Sequence, residues 1–139
     1  MDIGFIGFGL IGGSIAKGLK KVHPEYRIIA TSRSKAPLYE AQKHGVVDVV
    51  APEVDNSFKN CDYIFLCTPV ITITYYLHAL KNVIKPECII TDVGSVKGYI
   101  HQAVHDAGLD SQFIGGHPMA GSERSGFNNS SDTLLKGAI

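Results

Sequence analysis

The chain has 139 residues, of which 45% are hydrophobic, and this size and composition predict one domain with its own apolar core. Thirteen basic and thirteen acidic residues cancel, so no overall field attracts the protein to nucleic acid or to an anionic membrane. No apolar run approaches the roughly 20 residues of a membrane span and no secretion signal is recognisable, so we expect a cytoplasmic protein whose partners are small molecules.

Short apolar runs alternate along the chain with segments of helical spacing. Strands are predicted at residues 2–6, 27–31, 63–67, 89–92 and 113–115, with a weaker strand at 47–50. Helices are predicted at 10–20, 37–44, 71–82 and 97–107, with Pro37 in a first turn and Gly45 at a left-handed C-terminal cap. This order predicts an α/β fold with a doubly wound, mostly parallel sheet and helices on both faces.

The first predicted strand runs directly into a turn with G-x-G-x-x-G spacing, and the turn opens the first predicted helix. Gly7 permits the tight turn, Gly9 lets the backbone approach a pyrophosphate, and Gly12 lets the helix pack on the strand. The amides of the helix start, including those of Leu10 and Ile11, are then available to the phosphates. The turn predicts a Rossmann-type domain that binds a dinucleotide; a turn that binds nothing is the alternative.

The residue that selects the cofactor is not acidic. In the NAD-binding form of this fold, an acid about twenty residues after the glycines binds the ribose 2′-hydroxyl. That position is Ser32, and Arg33 and Lys35 follow it. A hydroxyl, a guanidinium and an ammonium can bind a phosphate, so the sequence predicts NADP, with NAD possible. An ordinary solvated basic loop is the alternative.

Three segments that follow predicted strands are expected to meet at the nicotinamide end, because ligands of open parallel sheets bind beyond the carboxyl ends of strands. Thr68 and Pro69 follow one strand, Gly94 and Ser95 the next, and residues 115–123 the last. We expect Thr68, Pro69 and Gly94 to contact the cofactor.

Residues 115–129 are rich in Gly, Ser and Asn and are predicted to form a long, functional loop. Within it, His117 lies between a glycine and a proline. A neutral imidazole accepts a proton near neutral pH, which suits oxidation by hydride loss. Its position equally suits a loop-capping role.

The remaining cysteines and histidines form no site pattern. Cys61, Cys67 and Cys88 are odd in number and lack C-x-x-C spacing. His101 and His105 lie four residues apart on a predicted helix, but no third ligand accompanies them. We expect neither structural disulfides nor a bound metal.

Three segments in this order, GFGLIGGS (7–14), TDVGSVK (91–97) and GGHPMAG (115–121), resemble the prephenate/arogenate dehydrogenases of tyrosine biosynthesis, over nearly the whole chain. Many dehydrogenases share the first motif, whereas the other two are more specific. The resemblance implies oxidative decarboxylation of a cyclohexadienyl ring: C4 delivers hydride to the cofactor, the ring carboxylate leaves as CO2, and aromatisation drives the step.

The resemblance also implies roles for single residues. His117 would take a hydrogen bond from the ring hydroxyl and act as the base, and Ser95 would help to hold that hydroxyl and the histidine. Ser122 and Glu123 would lie at the entrance of the substrate pocket.

Members of that family continue into a helical C-terminal domain, which forms the homodimer and supplies an arginine for the substrate's side-chain carboxylate. The chain ends on the apolar residues 133–139 without a stop signal, so we expect an interrupted chain. We expect residues 1–139, as one cofactor-binding domain, to turn over little or no substrate. Another NADP-dependent reductase, of pyrroline-carboxylate or β-hydroxyacid type, and a non-catalytic NADP-sensing module are the alternatives.

Overall fold

The structure, a computed structural model, describes residues 1–93 and 97–116. Within these ranges one sheet has the order β3-β2-β1-β4-β5-β6, and every neighbouring pair is parallel. The strands are β1 Asp2–Ile6, β2 Arg27–Thr31, β3 Val49–Val50, β4 Tyr63–Leu66, β5 Ile89–Asp92 and β6 Phe113–Ile114. The strand order reverses between β1 and β4, where a sheet of this kind opens a crevice at its carboxyl ends.

Helices cover both faces of the sheet: α1 Leu10–Val22, α2 Ala36–Lys43, α3 Ile73–Lys81 and α4 Lys97–Asp106. Successive strand residues point to opposite faces, so β1 sends Phe5 into the apolar cluster under α1 and α2, and Ile6 into the cluster under α3 and α4. The predicted α/β Rossmann-type fold is confirmed, and the described sheet is wholly parallel. No helix of the described ranges combines the length and apolar character that crossing a bilayer requires.

The element boundaries differ from the predicted ones by a few residues. The predicted helix over 71–82 is divided into a 3-10 turn, Val70–Thr72, and α3. The turn forms because both the N–H and the hydroxyl of Thr72 donate to the Pro69 carbonyl, at 3.0 and 2.8 Å. Gly45 has φ +75 after α2, which confirms the predicted left-handed cap.

Lys20 joins α1 to two other segments at the amino-terminal edge of the sheet. Its Nζ lies 2.8 Å from the Asp48 carboxylate and donates to the Tyr26 carbonyl oxygen at 2.7 Å. The same carboxylate accepts the backbone N–H of Ile28 at 2.7 Å. Because the lysine side chain is only 15% exposed, its charge depends on these partners for stabilisation.

We expect Asp48→Ala to lower the free energy of unfolding by about 1–3 kcal/mol, because it removes the anion beside a mostly buried ammonium and leaves the Ile28 amide without an acceptor. Urea denaturation measures the change. Arg27→Ala is the matched control: its ion pair with Asp2, at 3.2 Å, has an arginine that is 52% exposed, and such pairs contribute about 0–1 kcal/mol. Equal losses in the two variants would contradict this account of the edge.

Candidate functional site

The turn after β1 is pressed between the two neighbouring strands. Gly7 has φ +88, and its N–H donates to the Thr31 carbonyl at the end of β2, at 2.8 Å. A Cβ on Gly7 would lie 2.8 Å from the carbonyl carbon and oxygen of Cys67, which follows β4. Both the conformation and the lack of space therefore require glycine here.

The other two glycines of the turn have different surroundings. A Cβ on Gly12 would lie 3.0 Å from the Gly7 carbonyl oxygen and 3.3 Å from the Cys67 sulfur, so α1 packs directly on the turn. A Cβ on Gly9 would meet no atom of the residues that the structure describes within 4 Å. The space next to Gly9 is therefore open, which is where the sequence predicts a pyrophosphate.

The start of α1 carries no anion of its own. Gly9 is the N-cap, no side chain caps the helix, and the first turn, which includes Leu10 and Ile11, contains no acidic residue. The first N–H groups of a helix have no partner within the helix, and its dipole makes this end positive. These residues fit a phosphate group supplied by a ligand.

Thr68 contributes an unsatisfied hydroxyl beside the same turn. Its methyl carbon lies 2.8 Å from the position that a Cβ on Gly7 would take. Its Oγ1 is buried and has no hydrogen-bond partner among the residues that the structure describes. A buried polar atom without a partner costs about 1–3 kcal/mol, so this hydroxyl fits a partner supplied by a bound molecule. Pro69, the next residue, is exposed.

A second feature is a pocket of about 260 Å³ at the carboxyl end of β2. It brings together the three predicted selectivity residues with residues from two later segments. The lining includes Ser32, Arg33, Lys35, Glu53, Tyr75 and Tyr76. The pocket therefore combines cationic, acidic and aromatic groups at the position where this fold holds the adenosine half of a dinucleotide.

The three predicted selectivity residues differ in availability. The Ser32 hydroxyl donates to the Ser34 carbonyl oxygen, and the Lys35 ammonium donates to the Ser32 carbonyl oxygen. Arg33 is exposed and forms no hydrogen bond or ion pair with any described residue. To donate to a phosphate, the Ser32 hydroxyl would have to give up its one donated bond, whereas the Lys35 ammonium keeps two further N–H groups and the Arg33 guanidinium keeps all of its donors.

Sequence reasoning missed Glu53, Tyr75 and Tyr76. The tyrosine rings contact each other edge to face, with centroids 5.2 Å apart. The available signal was the position of Glu53 shortly after the weak predicted strand. A parallel strand next to β2 brings the residues that follow it to the same edge of the sheet.

At the ends of β5 and β6, a buried carboxylate holds the start of the last predicted loop. Asp92 is 1% exposed, and its Oδ1 accepts the Gly116 N–H at 3.2 Å. A Cβ on Gly116 would lie 2.8 Å from the Asp92 carbonyl oxygen. The remaining predicted site residues lie outside the described ranges: Gly94, Ser95, His117, Ser122 and Glu123.

The thiol nearest to the turn is not a nucleophile. Burial, with a smaller contribution from the charge of Asp92, raises the pKa of Cys67 to about 12. The thiol therefore stays protonated at neutral pH and packs as a small apolar group beside the turn. Within the described ranges, no group of three potential metal ligands is found.

Comparison with known protein families assigns the chain to one of them. The model of the prephenate dehydrogenase nucleotide-binding domain matches residues 15–139. The chain belongs to this family. The membership agrees with the resemblance of the sequence motifs, and the matched range includes the motifs at 91–97 and 115–121.

Two bacterial relatives are similar over most of the chain. It is 42% identical over 127 residues to prephenate dehydrogenase of Lactococcus lactis, covering 87% of this chain and 34% of that protein. It is 41% identical over 136 residues to prephenate dehydrogenase of Bacillus subtilis, covering 96% of this chain and 36% of that protein. The chain thus spans about a third of the length of these relatives.

Solved structures show the same likeness in three dimensions. Synechocystis arogenate dehydrogenase superposes with a TM-score of 0.86 at 35% identity, over 96% of this chain and 46% of that chain. Aquifex aeolicus prephenate dehydrogenase, in complex with hydroxyphenyl propionate and NAD+, superposes with a TM-score of 0.90 at 29% identity, over 99% of this chain and 48% of that chain.

We expect alanine to lower mainly the folding stability at the first glycine of the turn and mainly the dinucleotide affinity at the second. Gly7→Ala should lower the free energy of unfolding by about 2–4 kcal/mol, through its left-handed conformation and the clash with Cys67. Gly9→Ala should change it by less than about 1 kcal/mol, yet weaken dinucleotide binding about tenfold, a loss of about 1.4 kcal/mol. Chemical denaturation and equilibrium binding measure the two effects. Unchanged binding in a folded Gly9→Ala chain would contradict this assignment of the open space.

Proposed function

We propose that this chain is the cofactor-binding domain of a dehydrogenase that oxidatively decarboxylates prephenate or arogenate in tyrosine biosynthesis, with a nicotinamide dinucleotide as the hydride acceptor. The observation that carries the proposal is the open, uncapped start of α1 beside Gly9. Similarity to prephenate and arogenate dehydrogenases supports the reaction, and the NAD+ complex of the Aquifex aeolicus enzyme supports the cofactor class.

The described residues can bind the two halves of such a cofactor. The turn formed by Gly7, Gly9 and Gly12 leaves room for the diphosphate, and the amides of Leu10 and Ile11 belong to the first turn of α1. The Thr68 hydroxyl, which has no partner among the described residues, lies beside that turn and can hydrogen-bond to the bound molecule. Pro69 follows β4 at the same edge, and Gly94, which comes two residues after β5 in the sequence, completes the proposed set of contacts.

NADP is the proposed preferred form of the cofactor. The adenosine 2′-phosphate would enter the pocket at the end of β2, where Arg33 is exposed and unpaired among the described residues. A guanidinium binds phosphate through two parallel hydrogen bonds. Ser32 and Lys35 line the same pocket, and they shape the loop through their own hydrogen bonds.

We expect Arg33→Ala to lower the ratio of NADP affinity to NAD affinity about tenfold or more, because a hydrogen-bonded charge is worth about 1.5–3 kcal/mol. Parallel titrations with the two cofactors measure the ratio. Arg27→Ala, which removes the same charge at the opposite edge of the sheet, is the matched control and should leave the ratio unchanged. An unchanged ratio in Arg33→Ala would refute the proposed 2′-phosphate site.

The proposed chemistry belongs to residues that follow β5 and β6. His117 would accept the proton of the ring hydroxyl as hydride leaves C4 and CO2 departs, and Ser95 would hold that hydroxyl. Ser122 and Glu123 would line the entrance for the substrate. The hydrogen bond between Asp92 and Gly116, the residue directly before His117, supports a fixed starting point for this loop.

Because the relatives are about three times as long, we propose that turnover and dimer formation require a further part of the protein.

In the complete enzyme, we expect the turnover rate to fall on acidification, because a base must be neutral to accept a proton and protonation of His117 removes the acceptor. His117→Asn should lower kcat by about 100-fold or more and abolish that acidic limb, while cofactor affinity stays within about twofold. The pH profiles of the two enzymes measure this. Equal turnover in both would remove His117 from the mechanism, and a full-length protein that binds cofactor without any turnover would favour the non-catalytic module.

A further inference from the structure

The nucleotide pocket at the end of β2 contains a carboxylate as well as cations. Glu53 follows β3, whose Val50 is in parallel register with Ala30 of β2. This register brings the residues after β3 to the edge where Arg33 lies, and both side chains line the same pocket of about 260 Å³. Among the residues that the structure describes, the Arg33 and Glu53 side chains form no ion pair with each other. The pocket therefore presents two opposite charges that remain available to a ligand.

The segment that carries Glu53 is anchored at both ends. On one side, the Ala51 N–H donates to the Ala30 carbonyl oxygen at 2.8 Å. On the other, Asp55 caps a 3-10 turn by accepting the Ser57 N–H at 2.8 Å. Val54 packs against the core cluster under α3 and α4. Glu53 thus projects from a fixed segment, although its own side chain is exposed.

We propose that Glu53 is a specificity-determining residue of the nucleotide pocket, which accepts hydrogen bonds from the adenosine ribose hydroxyls and opposes the 2′-phosphate that Arg33 attracts. This inference rests on the proposed function of the domain. It assigns to the loop after β3 the role that an acid at the end of β2 has in NAD-binding members of this fold. Arg33 and Glu53 then act in opposite directions, so the domain retains affinity for NAD while it prefers NADP.

The charges of the two cofactors explain the expected discrimination. A carboxylate is an acceptor only, with two oxygens that suit neighbouring ribose hydroxyls. A phosphate monoester carries about −1.5 to −2 charges near neutral pH, and a carboxylate across the same pocket repels it. Because Glu53 is exposed, salt screens this repulsion: the Debye length falls from about 10 Å at 0.1 M to about 3 Å at 1 M salt. The effect on NADP should therefore be largest at low ionic strength.

Equilibrium binding of NADP and NAD to the 139-residue chain tests the proposal, with Glu53→Gln beside the wild type. We expect the variant to bind NADP more tightly and NAD more weakly, so that the affinity ratio rises about threefold to tenfold, a change of about 0.7–1.4 kcal/mol. The gain for NADP should shrink as salt is raised, and a merely structural role would not produce that dependence. Glu87→Gln is the matched control, because it removes the same charge from an exposed position before β5, at the opposite edge of the sheet.

The outcomes separate this inference from the proposed function. If Glu53→Gln behaves like Glu87→Gln while Arg33→Ala still lowers the ratio, Glu53 is not a selector and the function of the domain stands. If Glu53→Gln weakens both cofactors equally, at every salt concentration, the residue is structural and the inference is wrong. If the folded wild-type chain binds neither cofactor, the proposed function fails, and the inference fails with it.

Discussion

The close packing of Gly7 beside Cys67, where an added Cβ would lie 2.8 Å from the Cys67 carbonyl group, is the constraint on which the rest of the site depends. It brings the end of β1 against the end of β4 at the point where the strand order reverses. It also sets where α1 begins, because Gly12 packs on the same turn. The result is a helix start that no side chain of the described ranges caps, with a space beside Gly9 that those ranges leave open. A larger residue at Gly7 would push the ends of β1 and β4 apart and displace the start of α1.

Parallel strand pairing places the other proposed site residues of the described ranges along one edge of the sheet. The register of β2 with β3 gathers Arg33 and Glu53 around one pocket. The register of β5 with β6 and the hydrogen bond from Gly116 to the buried Asp92 carboxylate place Gly116 at the carboxyl end of β5. The proposed adenosine end and the proposed reacting end thus belong to different strand pairs, on either side of the glycine turn. The two ends can therefore be altered separately by substitution.

Much of the fold could be predicted from the sequence, because apolar periodicity and glycine spacing are local signals. The strands, the helices, the parallel sheet and the cap at Gly45 followed from them. Features that depend on tertiary structure did not. Counting about twenty residues from the glycines leads to Ser32 at the end of β2. Glu53 lies outside that count, because it reaches the pocket through the pairing of β3 with β2. The local hydrogen bonds of Ser32 and Lys35, and the Thr68 hydroxyl that no described residue bonds, are tertiary details that no sequence pattern reveals.

In the proposed function, backbone amides at the start of α1 bind the diphosphate of a nicotinamide dinucleotide. Amide NMR chemical shifts of the isotopically labelled 139-residue chain, followed during titration with NADP, test it most directly. We expect saturable changes of the amide chemical shifts that are largest at Gly9, Leu10 and Ile11, with a second group of changes at residues around Arg33. Unchanged amide shifts at these three residues at millimolar NADP, in a folded chain, would contradict it.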